Sequence, residues 1–141
     1  MANYCTYQDR CHQEVEQKMR DFLLIPEAKE EIMLFLIQEN FLNEERFARS
    51  YARGKFYIKH WGRNKIRQHL LQKGVHEKLI HTAFTEIDED DYRATLKREY
   101  FSYFDKITKG KAFEKHTKTI RYCLSRGFEY ELIREVQQCE D

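Results

Sequence analysis

The chain has 141 residues, 41% hydrophobic and 14% aromatic, and a formal net charge of +1. Enough apolar surface to repay chain entropy, with almost no net charge, excludes a disordered chain and predicts one domain or a string of small modules. Charged residues at 35% and a mean hydropathy of −0.83 mean much surface per unit of core, so an elongated or modular shape is expected. The longest apolar runs, residues 22–25 and 32–37, are far short of a membrane span, and the opening MANYCTYQDR has no secretory apolar region. A soluble, cytoplasmic protein without membrane contact is expected.

One proline, five isolated glycines and no sustained period-two alternation form an all-helical signature. In chain order, helices are expected over 3–8, 12–23, 26–39, 44–59, 63–73, 76–87, 89–105, 112–126 and 129–139. Val15, Met19 and Phe22 fall on one helical stripe, as do Ile80, Phe84 and Ile87, and Leu96, Tyr100 and Tyr103. Pro26 suits a first helical turn, and Asn43 suits an N-cap before Glu44 and Glu45. Asp88 can cap a helix opened by Glu89, Asp90 and Asp91. Gly74 and Gly127 sit where helices should stop.

Sliding the chain by 53 positions superposes Leu71, Lys73, Gly74, Val75, Leu79, Ile80 and Ala83 on Leu124, Arg126, Gly127, Phe128, Leu132, Ile133 and Val136. A weaker copy runs over residues 15–36, with Arg20, Asp21 and Phe22 where a basic-glycine turn would stand. The expected fold is therefore all-α, three tandem three-helix repeats forming an elongated, curved molecule. The repeats would span about 1–42, 43–88 and 89–141 of a single region.

Charge is sorted along the chain. Residues 46–76 hold nine Lys or Arg and no acid, residues 97–126 sum to +6, and the three remaining segments are negative. A polyanion or an acidic protein surface complements such a field; a solvated helix face is the plainer reading of any short basic run. On the helix expected at 63–73, Ile66 and Leu70 face inward and leave Arg63, Lys65, Arg67 and Lys73 outward. Arg49, Arg53 and Lys59 extend the same face from the preceding helix, and Arg46 pairs locally with the acids beside Asn43. Trp61 can stack on a base, anchor a protein interface or pack in the core. Tyr92, Tyr100 and Tyr103 read as packing residues, and Lys106, Lys109, Lys111, Lys115 and Lys118 as a solvated loop region.

Catalytic signatures are missing. No dinucleotide or phosphate-loop glycine pattern and no H-E-x-x-H occurs, and no spacing singles out any of the six histidines. Cys5, Cys11, Cys123 and Cys139 form no C-x-x-C pair and read as free, mostly packed thiols in a reducing cytosol. The acids 86 and 88–91 read as a helix start. No enzyme activity, cofactor or metal is expected.

Four segments are recognisable together: Phe41-Leu42-Asn43-Glu44-Glu45-Arg46-Phe47-Ala48-Arg49-Ser50-Tyr51, Trp61-Gly62-Arg63-Asn64-Lys65-Ile66-Arg67-Gln68-His69-Leu70, Lys73-Gly74-Val75 and Ser125-Arg126-Gly127-Phe128. In this order they resemble the RecX family, across nearly the whole chain. The resemblance implies an all-helical regulatory protein of three three-helix repeats that binds the RecA recombinase filament on single-stranded DNA, lying in the filament groove. There it would restrain filament growth and the ATPase, strand-exchange and coprotease activities. A monomer with the RecA filament as partner is expected, with single- or double-stranded DNA as a further contact. Candidate binding residues are Arg49, Arg53, Lys59, Trp61, Arg63, Lys65, Arg67 and Lys73. The chain departs from the family pattern at its start: the first helix looks clipped, Cys11-His12-Gln13-Glu14 replaces a Ser-x-x-Glu capping box, and the first basic-glycine turn is missing. The competing reading is a direct DNA-binding module of helix-turn-helix type with residues 63–70 as its recognition helix.

Overall fold

The structure, a computed structural model, describes residues 1–22 and 26–139. Residue 23 of the expected second helix, and the apolar run after Phe22, lie outside the described residues. Among the described residues there are nine α-helices and no strand: α1 (Ala2–Tyr7), α2 (His12–Arg20), α3 (Pro26–Gln38), α4 (Glu44–Tyr57), α5 (Arg63–Gln72), α6 (Glu77–Ala83), α7 (Glu89–Lys106), α8 (Ala112–Ser125) and α9 (Tyr130–Gln138). A short 3-10 turn, Phe84–Glu86, follows α6. The all-α expectation holds, and most helix ends fall within two residues of where composition placed them. No helix is long and apolar enough to cross a membrane among the described residues.

The caps explain this legibility. Asn43 Oδ1 accepts from the Arg46 amide at 2.9 Å and Asp88 Oδ2 from the Asp91 amide at 3.0 Å, so each satisfies an amide at a helix start that has no partner within the helix. At α2 the Glu14 carboxylate reaches back to the Cys11 amide at 3.1 Å, the acidic half of a capping box. His76 Nδ1 accepts from the Lys78 amide at 3.1 Å, a cap that no residue preference advertised.

The repeated glycine turns share their geometry. Gly74 has φ +81° and Gly127 φ +97°. The Gly74 amide bonds Leu71 O at 3.0 Å and Val75 bonds Leu70 O at 3.1 Å; 53 residues on, Gly127 bonds Leu124 O at 3.0 Å and Phe128 bonds Cys123 O at 3.2 Å. The apolar residue after each glycine, Val75 or Phe128, turns into its own core, as do Ile80 and Ile133. This is a helix stop closed by a left-handed residue and a hydrophobic contact.

The chain forms two compact units. The first comprises residues 1–51 and 69–84, the second residues 52–68 and 85–141, so α4 and α5 each contribute to both. In the first unit Cys5, Val15, Met19, Leu36 and Leu42 form a buried cluster lined by Tyr4, Ile32, Met33 and Phe41. Phe22 does not complete its expected stripe: α2 ends at Arg20, and the ring is exposed. In the second unit α7 packs on α8 and α9. Phe56, Tyr92 and Phe128, all fully buried, form an aromatic chain with 5.4 Å between successive ring centroids. Burying each ring contributes on the order of 2–3 kcal/mol.

Two outcomes follow. A Cβ on Gly62 would lie 2.3 Å from the Gly127 carbonyl carbon, whereas one on Gly54, inside α4, meets nothing within 4 Å. Urea unfolding should therefore show Gly62→Ala losing roughly 2 kcal/mol or more, while Gly54→Ala gains about 0.5–1 kcal/mol from helix propensity. Burial raises the Cys11 thiol to about 11 and the Cys123 thiol to about 12 from an ordinary value of 9.0. The stability these neutral thiols confer is complete below about pH 9 and drains away as pH rises through 11 to 12. In the native protein a thiol reagent should label Cys139, the exposed one, and reach the buried Cys5, Cys11 and Cys123 only on unfolding.

Candidate functional site

The site begins where α4 stops. His60 takes a left-handed conformation, φ +59°; its amide bonds Phe56 O at 2.9 Å, and the Trp61 amide bonds Lys55 O at 3.0 Å. This wrap brings two ammonium groups to the half-buried Trp61 ring, Lys65 Nζ at 4.3 Å and Lys55 Nζ at 4.9 Å from its centroid. Each such contact contributes about 0.5–1 kcal/mol at a site of this exposure and holds a cation against the indole face. Ile58 and Lys59, in the same turn, are exposed.

Next comes a joint. The first amides of α5 and the one before it find partners on the turn between α8 and α9 and on α7. Gly62 donates to Arg126 O at 2.8 Å, Asn64 to Gly127 O at 2.9 Å, and Arg63 to the Tyr92 hydroxyl at 3.0 Å. The Arg126 guanidinium donates in turn to Lys59 O. The Arg63 guanidinium stacks 3.9 Å above the Tyr92 ring and pairs with Glu89 at 3.1 Å and Glu129 at 3.3 Å, while the Tyr92 hydroxyl donates to Glu129. Burial, and then the Glu129 carboxylate, hold the Tyr92 hydroxyl protonated well above the ordinary tyrosine range. It therefore serves as a neutral hydrogen-bond bridge.

The candidate residues have separate placements. In the second unit Trp61 and Lys65 meet, joined by Lys55, which helix spacing four residues before Lys59 would have suggested. Lys59 is exposed, Arg67 half-buried, and Arg53 pairs with Glu86 at 3.3 Å. Arg63 departs from the outward orientation expected of it, because two carboxylates and an aromatic face draw it inward to 27% exposure. In the first unit Arg49 pairs with Glu45 at 3.4 Å, and Lys73, just past the end of α5, pairs with Glu14 at 3.5 Å. Arg46 is tied not to the acids beside Asn43 but to Asp9 at 2.6 Å and to the carbonyls of Asn40 and Phe41. Of the acids 86 and 88–91, Glu86, Glu89 and Asp91 meet Arg53, Arg63 and Tyr57, so this segment neutralises basic residues of its own unit. No group of three His, Cys, Asp or Glu suited to a metal ion occurs among the described residues.

Comparison with known proteins places this geometry. The family model of the second three-helix domain of RecX matches residues 43–83, α4 through α6. The regulatory protein RecX of Yersinia enterocolitica is 36% identical over 111 residues, covering 79% of this chain and 65% of the relative. That of Streptococcus uberis is 27% identical over 134 residues, covering 94% and 51%. The crystal structure of RecX from Lactobacillus salivarius superposes with a TM-score of 0.87 at 24% identity, over 96% of this chain and 88% of that one. The chain belongs to the RecX family. It spans between about half and two thirds of the length of the curated RecX relatives it matches.

Two RecX-like motifs, 61–70 and 125–128, thus meet in one joint whose members bond chiefly to each other. Tyr92→Phe would leave the Arg63 amide and the Glu129 carboxylate without their shared partner, and the expected loss is about 1–3 kcal/mol in urea unfolding. Arg63→Ala should cost a similar amount, while Lys59→Ala should stay within about 0.5 kcal/mol. Equal effects at Lys59 and Arg63 would refute this division.

Proposed function

We propose that the chain is a non-enzymatic regulator that binds the RecA recombinase filament on single-stranded DNA and lowers its ATPase, strand-exchange and coprotease activities. Membership of a family whose relatives are named regulatory proteins carries this reading. The geometry supplies a means. Ile58, Lys59, Trp61 and Lys65 put an aliphatic side chain, an indole and ammonium groups on the turn before α5 and the first turn of α5, the composition of an anchor for an acidic protein surface. A protein that acts by occupancy needs no reacting group, only enough binding energy to hold a filament conformation.

The helix-turn-helix alternative asks α5 to lead into a DNA groove with its N-terminal residues. Arg63, the first of them, is committed to Glu89 and Glu129, which counts against it.

Titrating the chain into a RecA ATPase assay on single-stranded DNA tests the proposal. Slower hydrolysis at substoichiometric amounts is expected, without nucleotide hydrolysis by the chain itself. Lys59→Glu with Lys65→Glu should weaken the effect about tenfold or more at low salt, the difference shrinking as salt rises. An unchanged ATPase rate at every ratio would overturn the proposal.

A further inference from the structure

The two basic zones are not equivalent. In the first, Arg46, Arg49, Arg53, Arg63 and Lys73 all pair with carboxylates. In the second, Lys106, Lys109, Lys111 and Lys118 are exposed, and none pairs with a carboxylate among the described residues. They surround the corner where α7 passes into α8, within the second unit. Asp105 and Glu114 lie in the same stretch, so the corner keeps an excess of three positive charges over residues 105–118, with Lys115 counted and His116 neutral.

Aromatic rings are interleaved with these cations. Phe113 opens α8 with 81% of its surface exposed. Phe104, half-buried, carries Lys115 Nζ 4.4 Å from its ring centroid and stacks on His116 at 4.5 Å. His116 Nδ1 is held by the Tyr100 hydroxyl at 2.5 Å, and Phe101 packs edge-on against Phe104 at 6.5 Å. The half-buried Phe101 and His116 rings thus fix the orientation of Phe104, while Phe113 has no ring contact among the described residues. A phenyl group left in water among unneutralised ammonium groups costs solvation and contributes nothing visible to the core.

From this arrangement we propose that the α7–α8 corner is a second binding surface, distinct from the Trp61 turn, and that its ligand is single-stranded nucleic acid. Bases stack on Phe113 and the neighbouring Phe104 edge, and phosphates take Lys106, Lys109, Lys111 and Lys118. Stacking on an aromatic face and neutralisation by flanking cations are the two interactions by which single strands are bound without sequence preference. A purely acidic protein surface would use the lysines but leave Phe113 idle. A duplex would offer phosphates but no free base faces.

The test needs no recombinase, so its failure leaves the regulatory proposal standing. Fluorescence anisotropy of a labelled oligo-dT is followed as the full chain is added at several salt concentrations, with circular dichroism confirming that each variant is folded. Tight binding at low salt is expected, with Phe113→Ala weakening it about tenfold. Lys109→Gln with Lys118→Gln should lower the magnitude of the log-log salt slope by about 1.4. Lys59→Glu with Lys65→Glu should leave most of the affinity intact, and oligo-U should bind like oligo-dT, because a phenyl face does not read the 2′-hydroxyl. No binding by the parent chain, unchanged affinity in the Phe113 and lysine variants, loss confined to the Lys59 and Lys65 variant, or tighter binding of a duplex or of polyglutamate would each overturn the proposal.

Discussion

The second unit is built on the approach of two backbones at Gly62 and Gly127. Any side chain at either position would enter the other strand of the joint: a Cβ on Gly62 meets Gly127 at 2.3 Å, and one on Gly127 meets the Lys65 Cβ at 2.4 Å. That closeness lets the α8–α9 turn offer its carbonyls to the first amides of α5, which would otherwise be buried without partners. With the amides satisfied, Tyr92 can bridge Arg63 to Glu129, and its ring can join Phe56 to Phe128 in the core. Gly74 makes the same turn with nothing within 4 Å of its would-be Cβ. Gly74 is thus a glycine for its φ alone, and Gly127 for φ and space together. The repeat copied a helix stop, and only one copy serves as a joint.

Charge sorting along the sequence has a structural meaning that net charge hides. Thirty-one residues without an acid would repel one another if they stood alone. In each unit, carboxylates from distant positions answer them: Asp9 and Glu14 in the first, Glu86, Glu89 and Glu129 in the second. Several of these pairs are half-exposed and individually contribute little, but the Arg63 group joins two carboxylates, a stacked ring and a hydroxyl. Its contribution is geometric as well as energetic, because it fixes where α5 begins.

How much of this could be read from residues alone follows from the range of each interaction. Helix starts at Asn43 and Asp88 and stops at Gly74 and Gly127 were legible because capping and left-handed turns involve neighbours within a few positions. The buried stripes Ile66 with Leu70 and Leu96 with Tyr100 were legible through helical period. His60 was not, since even the residues enriched at positive φ, histidine among them, take it only in a minority of cases, and its turn is set by what Trp61 and Gly62 must reach. Nor were the partners of Arg46 and Arg63, which lie 37, 26 and 66 positions away. A cation on a helix reads as outward until the fold supplies its acid, so a basic run alone cannot say which of its members are free.

That distinction bears on what the family resemblance reports. The motif residues Gly62, Arg63, Arg126 and Gly127 are occupied with one another, and Arg46 holds the first unit together through Asp9. Matching these residues identifies a fold and its joints, not a contact surface. The groups the fold leaves exposed are a different set, among them Ile58 and Lys59 on the Trp61 turn and Lys106, Lys109, Lys111, Lys118 and Phe113 of the α7–α8 corner. These positions carry no packing duty that would restrict their replacement. Two chains of this fold can therefore share every joint and present different exposed groups, because stability at the joints and the chemistry of the surface rest on separate sets of side chains.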